Sequence, residues 1–181
     1  YPSLQSCPGR LRAPLCAGRY HDLDMANCHP VILAQVAGRA GCDIPELTRY
    51  VAQREVVLCE IKNYYGCTRA AAKELILRLC NGGGTKAWHG DFQVARKETM
   101  ELITDLIEEL TLARDSIIKV HPVVHDVLAD INLRTHKKKN LWSAFSWSMH
   151  QIECEILDTM KGYLTKHGWQ VDVLVFDGVM V

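Results

Sequence analysis

The chain has 181 residues, and its 21 Lys and Arg residues balance its 21 Asp and Glu residues to give a formal net charge of zero. This balance excludes a polycation that holds nucleic acid by bulk charge alone. The composition, 48% apolar and 23% charged, is typical of a folded globular protein and excludes disorder over most of the length. No stretch approaches the roughly 18 consecutive apolar residues of a membrane span, so we expect no membrane partner.

The ends and the cysteines indicate the context of the chain. It starts at Tyr1 without a methionine and stops at Val181 inside a predicted strand, which we interpret as a fragment of a longer protein. Its eight cysteines are a small share of a chain whose aliphatic residues suffice for a core. We therefore predict free thiols and an intracellular, reducing compartment.

The first half of the chain is predicted to be one strand followed by helices. Residues 18–26 alternate apolar and polar side chains, which indicates a strand. A buried helix follows, with Asn27 as its N-cap and Pro30 in its first turn. A second helix is predicted from Pro45 to about Lys62, and a third from Thr68 to about Cys80, where three glycines end it.

The second half is predicted to be helical up to a last strand. The middle helix has an apolar face and an acidic face that we interpret as solvated. These faces comprise Met100, Ile103, Leu106, Ile107 and Leu110, and Glu101, Asp105, Glu108 and Glu109. After a basic loop, a helix with Ile152, Ile156, Met160 and Leu164 on its apolar face ends at Gly168. Residues 171–176 form the last strand, so the element order predicts an α+β fold with helices packed on a small antiparallel sheet.

Two aspartates lie near the end of the first predicted strand. Alternation places Asp22 and Asp24 on the same face of that strand. Two like charges so close favour a cation between them, and carboxylate oxygens are suitable ligands for Mg²⁺. The pair predicts a metal site, although exposed strand acids flanked by Arg19 and His21 would give the same pattern.

A stripe of side chains follows the predicted helix at 68–80. Arg69, Lys73, Leu77 and Asn81 are spaced by four residues, and each such step advances about 40° around a helix. Two cations one turn apart can bind a polyphosphate, whereas a solvated basic face is the ordinary alternative.

Asp177 precedes Gly178 between two apolar runs. An Asp-Gly pair in this setting predicts a β-hairpin with a two-residue turn and places Asp177 at its tip. Turn chemistry alone also explains an aspartate at such a position. The order of the three clusters is therefore more specific than any one of them.

That order and spacing resemble motifs A, B and C of the palm and fingers of family A DNA polymerases. The resemblance is closest to the divergent polymerases of large DNA viruses and mobile elements. The segment Asp24-Met-Ala-Asn-Cys-His-Pro-Val-Ile-Leu-Ala-Gln-Val is similar to motif A and its helix, and Arg69-x-x-x-Lys73 is similar to motif B. Gly168 stands nine residues before Asp177, a spacing like that of motif C. The resemblance covers about residues 18–181.

The resemblance implies template-directed nucleotidyl transfer with two Mg²⁺ ions as cofactors. It implies that Asp24 and Asp177 are catalytic metal ligands and that Arg69 and Lys73 bind the triphosphate. The implied partners are deoxynucleoside triphosphates and a primer-template.

Four positions depart from the family pattern. Gly178 stands where the family has a second motif C carboxylate, and we expect Asp22 to supply part of that negative charge as a further metal ligand. His29 replaces a glutamate that helps to exclude ribonucleotides. Leu77 replaces an aromatic residue that packs on the sugar, and Asn81 replaces a tyrosine, so nucleotide contacts at these positions are altered.

The resemblance also divides the chain. It implies a palm formed by residues 18–38 and 141–181, and a helical, fingers-like region at 39–140. Nothing before Tyr20 is long enough for the thumb that grips the duplex, so we expect weak or no polymerase activity from the isolated chain. The loop residues Lys137, Lys138 and Lys139 are candidates to contact a phosphate backbone, with a solvated loop as the alternative.

Two other functions remain open from the sequence. Asp22-Leu23-Asp24 also fits the Asp-x-Asp of a metal-dependent glycosyltransferase, which leaves Arg69, Lys73 and the hairpin without a role. In the second alternative, the chain is a non-catalytic helical binding module in which all three clusters are structural. Close approach of Asp24 and Asp177 would favour the polymerase.

Overall fold

The computed structural model describes residues 7–96, 98–120, 126, 129–130, 133, 141–175 and 177–181. Its principal elements in chain order are α1 (Gly9–Cys16), β1 (Asp22–Asp24), α2 (Cys28–Arg39), α3 (Pro45–Ala52), α4 (Arg54–Tyr65), α5 (Arg69–Cys80), α6 (Thr85–Asp91), α7 (Glu101–Val120), α8 (Leu141–Lys166), β2 (Val173–Val175) and β3 (Gly178–Met180). None of the described helices is both long and apolar enough to cross a membrane. All eight cysteines are free thiols.

The chain forms two compact units. The first combines residues 1–28 with residues 150–181, and the second comprises residues 29–149. The first unit contains the sheet, whereas the second is helical in the part of the chain that the structure describes. The α+β class with a small antiparallel sheet is therefore confirmed.

The sheet has three antiparallel strands in the order β1-β3-β2. Strand β3 lies in the centre, where Gly178 pairs with Asp24 of β1 and with Val175 of β2. The predicted strand at 18–26 is shorter than expected, since only residues 22–24 pair. The hairpin is confirmed, but Gly178 is itself a paired residue of β3, so Asp177 and not Gly178 lies in the connection.

A small apolar cluster holds the sheet within the first unit. Met180 of β3 is 3% exposed and packs against Cys16 at the end of α1, with Tyr20 and Val173 at the edge of the contact. Val179, on the opposite side of β3, is fully buried. Because strands of three residues form few hydrogen bonds, this burial on both faces of β3 stabilises the pairing.

Helix α5 in the second unit forms as the sequence predicts. The Thr68 hydroxyl accepts a hydrogen bond from the Ala71 N–H at 3.1 Å and caps the helix. The buried residues of α5 are Ala71, Ala72, Leu75, Ile76, Leu79 and Cys80. Trp88 of α6 is fully buried beside them and donates its indole N–H to the Ala71 carbonyl at 2.8 Å.

The predicted helix from Pro45 to about Lys62 is wrong in one respect, because it is two helices. The break falls at Gln53, whose backbone leaves the helical region with φ −131° and ψ 43°. Leu47 and Tyr50 of α3 are buried, and so are Val57 and Ile61 of α4. Each segment therefore has its own buried face.

The acidic face of α7 also differs from its prediction at one residue. Glu109 is 8% exposed, and its carboxylate accepts hydrogen bonds from the backbone N–H groups of Glu46 at 2.8 Å and Leu47 at 2.9 Å. These N–H groups lie in the first turn of α3, where no residue of the helix itself can accept them. Burial raises the pKa of Glu109, and the two N–H donors oppose that rise.

We predict that Glu109→Ala destabilises the protein by about 1–3 kcal/mol, because the buried N–H group of Leu47 and the partly buried N–H group of Glu46 lose their acceptor. Urea denaturation of the variant and the parent protein measures this loss. Glu108→Ala is the matched control, since Glu108 is exposed on the same helix. An equal, small change in both variants would contradict the capping role of Glu109.

Candidate functional site

The pairing of β1 with β3 brings Asp24 and Asp177 together. Asp24 is the last residue of β1, and Asp177 directly precedes its partner Gly178. The backbone N–H of Met25 donates to the Asp177 carbonyl at 2.9 Å, so the two aspartates lie on neighbouring stretches of backbone. The sequence places them at opposite ends of the chain, and the fold joins them at one edge of the sheet.

Neighbouring carboxylates influence the titration of Asp24. Burial raises the pKa of Asp24, and the negative charges of Asp22 and Asp177 raise it further. Arg12 of α1 opposes that rise. Since like charges raise the pKa of a carboxyl only at short range, Asp22, Asp24 and Asp177 form one acidic cluster.

A fourth carboxylate lies close to this cluster. The thiol of Cys28, at the start of α2, is buried, and its pKa is raised to about 12, first by burial and then by the charges of Glu153 and Asp177. Glu153 of α8 is only 5% exposed, and its carboxylate lies 2.7 Å from Nδ1 of His150.

The sequence did not single out Glu153, because its helix was assigned the wrong buried face. The predicted apolar residues Ile152, Ile156, Met160 and Leu164 are half-buried or exposed. Burial falls instead on Glu153 and Leu157, four residues apart and one position further along. The sequence does contain a signal for this buried face, because Met149, Glu153 and Leu157 are spaced by four residues and so lie on one side of the helix.

The donor chemistry of the cluster fits a hard divalent cation. Asp22 and Asp24 are exposed and Asp177 is half-exposed, so their oxygens are accessible from solvent. Oxygen ligands without thiolate or imidazole are the set that Mg²⁺ prefers. A cation at this position would lower the mutual repulsion that raises the pKa of Asp24.

The basic stripe lies on the exposed face of α5 in the second unit. Arg69 and Lys73 are exposed. The Arg69 guanidinium forms a two-pronged salt bridge with Glu55 of α4, in which Nε donates to Oε2 at 2.7 Å and Nη2 donates to Oε1. Among the described residues, none forms an ion pair with Lys73, so the two cations differ in their surroundings.

The C-terminal end of the same stripe contacts α8. Asn81 donates its side-chain amide to the Leu77 carbonyl at 2.8 Å and accepts a hydrogen bond from the Ser146 hydroxyl at 3.3 Å. Leu77 itself is half-buried. Next to Asn81, Gly82 has a positive φ of 76°, and a Cβ there would lie 2.2 Å from the ring of Trp142. The end of α5 is thus fixed against α8 by a contact that requires glycine.

The remaining predicted residues have less structural support. His29 is half-buried in the first turn of α2. Lys137, Lys138 and Lys139 lie outside the described residues. Their proposed roles in nucleotide and nucleic-acid contact stay predictions.

Comparison with known proteins gives one related sequence. A protein of Sputnik virophage named "Putative helicase V13" is 31% identical over 180 residues, which cover 99% of this chain and 23% of the relative. The chain thus spans about a quarter of the length of the curated relative that it matches. No protein-family model matches the chain, and no solved structure matches it significantly.

We predict that Gly82→Ala lowers the free energy of unfolding by about 1–3 kcal/mol, because its Cβ overlaps the Trp142 ring and its backbone is left-handed. Chemical denaturation followed by tryptophan fluorescence measures the loss. Gly90→Ala is the matched control, since a Cβ at Gly90 has nothing within 4 Å. A Gly82 variant as stable as the Gly90 variant would contradict the packing of Trp142 on Gly82.

Proposed function

We propose that this chain is the palm-and-fingers region of a family A-like DNA polymerase, a template-directed nucleotidyltransferase. The observation that carries the proposal is the convergence of Asp24, the last residue of β1, with Asp177, which directly precedes the neighbouring strand β3. Motifs A and C of such an enzyme require this arrangement, because the two metal ligands come from distant parts of the sequence. The partners are deoxynucleoside triphosphates and a primer-template.

In this proposal the acidic cluster holds two Mg²⁺ ions. Asp24 and Asp177 are the principal ligands, and Asp22 adds negative charge beside Asp24. When bound, the ions would lower the pKa of the primer 3′-hydroxyl and neutralise charge on the departing pyrophosphate. The contribution of the chain is to hold the carboxylates close together and open to solvent.

Arg69 and Lys73 bind the triphosphate in this proposal. Two cations one turn apart on α5 can bind one polyphosphate together, and charge-assisted hydrogen bonds from a guanidinium are strong and directional. Arg69 already holds a carboxylate in this geometry, since Glu55 occupies its donors. Triphosphate binding at Arg69 therefore competes with Glu55, whereas Lys73 is available to the phosphates without such competition from a described residue.

The altered positions bear on nucleotide selection. Asn81 is exposed, and its side-chain donor and acceptor are both engaged, with the Leu77 carbonyl and the Ser146 hydroxyl. Leu77 offers apolar contact without an aromatic face. We infer that sugar discrimination relies on shape at Leu77 and on His29 more than on stacking.

The virophage relative supports the proposal by its source, because the motifs resemble the polymerases of viruses and mobile elements. Its name refers to a helicase. This chain has no Gly-Lys pair and hence no G-x-x-x-x-G-K-[ST] phosphate loop of the kind that many helicases use. We therefore do not extend the helicase function in that name to this chain.

The two alternatives explain fewer observations. A glycosyltransferase that binds a metal through Asp22 and Asp24 gives no reason for Asp177 to join them. A non-catalytic helical module gives no reason for three carboxylates to repel one another at an exposed edge of a small sheet.

We expect Asp24→Ala or Asp177→Ala in the full-length protein to abolish templated primer extension, because each removes a principal metal ligand. Primer-template affinity should persist. Asp22→Ala should retain extension but require a higher Mg²⁺ concentration for half-maximal rate. Gel-based extension across a Mg²⁺ series measures all three variants.

Asp158→Ala is the control for these variants, because Asp158 is an exposed acid of the same unit outside the cluster. It should behave as the parent protein. Extension that survives in either the Asp24 or the Asp177 variant would sink the assignment. An unchanged Mg²⁺ requirement in the Asp22 variant would remove Asp22 alone from the metal site.

We predict that Glu55→Gln lowers the KM for deoxynucleoside triphosphates about two- to fivefold, because it frees Arg69 from an exposed ion pair. Arg69→Ala should raise that KM about tenfold or more. Steady-state extension kinetics separate KM from kcat. Glu98→Gln is the matched control, since it breaks the exposed pair with Arg96. A KM that rises in the Glu55 variant would show that Glu55 helps Arg69 bind the nucleotide.

A further inference from the structure

The sheet carries a contact that explains why glycine follows Asp177. Gly178 and Asp24 are directly paired across β3 and β1, so side chains at these two positions point to the same face. A Cβ built at Gly178 would lie 2.2 Å from Oδ1 of Asp24. Non-bonded carbon and oxygen atoms do not approach so closely, and the Asp24 carboxylate therefore occupies the space of a side chain at position 178.

The backbone cannot relieve this overlap easily. The same Cβ would also lie 3.0 Å from the Leu23 carbonyl oxygen and 3.3 Å from Cα of Asp24. Both belong to β1, which is held to β3 by the ladder hydrogen bonds. Any residue other than glycine must turn the Asp24 carboxylate away or push β1 from β3.

We propose that Gly178 is a positioning residue. Because it has no side chain, the Asp24 carboxylate can lie against its Cα, beside Asp177. The inference rests on the proposed function for its effect on catalysis, and on the contact alone for its effect on structure. It also accounts for the absence of a second carboxylate after Asp177. A glutamate at position 178 would compete with Asp24 for the same space, so additional negative charge has to come from a residue outside β3.

A double-mutant cycle tests the contact without reference to activity. Gly178→Ala should lower the Tm by about 3–10 °C, because it overpacks the strand pair. In the Asp24→Ala background the same change should lower the Tm by less than half as much, because the clashing carboxylate is gone. Gly162→Ala is the control of identical chemistry in the same unit, since a Cβ there has nothing within 4 Å.

The outcomes of this cycle are decisive in both directions. Equal Tm losses in the two backgrounds would overturn the proposed contact between Gly178 and the Asp24 carboxylate. If Gly178→Ala does not fold, the double variant should still fold, and its failure would equally count against the proposal.

Primer extension by the full-length protein tests the catalytic consequence. Gly178→Ala should lower kcat about 10- to 100-fold while the KM for the nucleotide changes little, because a displaced ligand affects the reacting geometry and leaves Arg69 and Lys73 unchanged. Gly162→Ala should match the parent protein. Parental kcat in a folded Gly178 variant would overturn the positioning role and leave the polymerase proposal intact. A different result is a parent protein that shows no extension activity while Gly178→Ala still lowers the Tm less in the Asp24→Ala background. That result would overturn the polymerase proposal and leave the contact between Gly178 and Asp24 intact.

Discussion

The candidate site depends on the antiparallel pairing of β1 with β3. This pairing joins a segment near the start of the chain to its last residues and sets Asp24 against Gly178, with Asp177 next to it. Three-residue strands contribute few hydrogen bonds, so the register has to be fixed by side chains. Met180, buried against Cys16, and the fully buried Val179 supply that constraint, because a slip by one residue would exchange their faces.

Local signals predicted those parts of the fold that are determined by local interactions. Helix α5 begins at a Thr68 cap and ends before three glycines, and both signals act within a few residues. The hairpin around Asp177 follows from one dipeptide between two apolar runs. The meeting of Asp24 with Asp177 was predicted from family resemblance, since no local pattern reports which strands of a sheet become neighbours.

The failures of prediction arise where distant contacts decide. Leu47, Tyr50, Val57 and Ile61 continue one helical stripe across Gln53, so the periodicity gives no warning of the break between α3 and α4. The sequence predicts a solvated position for Glu109 and does not single out Glu153, but both acids are buried. Glu109 is buried because its acceptors are satisfied by N–H groups more than sixty residues earlier, at Glu46 and Leu47.

The neutral net charge conceals the feature that matters most for chemistry, which is how the charges are distributed. Burial raises the pKa of Asp24, and the nearby charges of Asp22 and Asp177 at the small sheet raise it further. A sheet so short gains little from keeping like charges together, and neutral residues at these positions would hold the strands with less repulsion. Arg12 offsets only part of this effect. In the metal site that we propose, the binding energy of the cation would include the relief of that repulsion, so an arrangement that is unfavourable without the ion would become favourable with it.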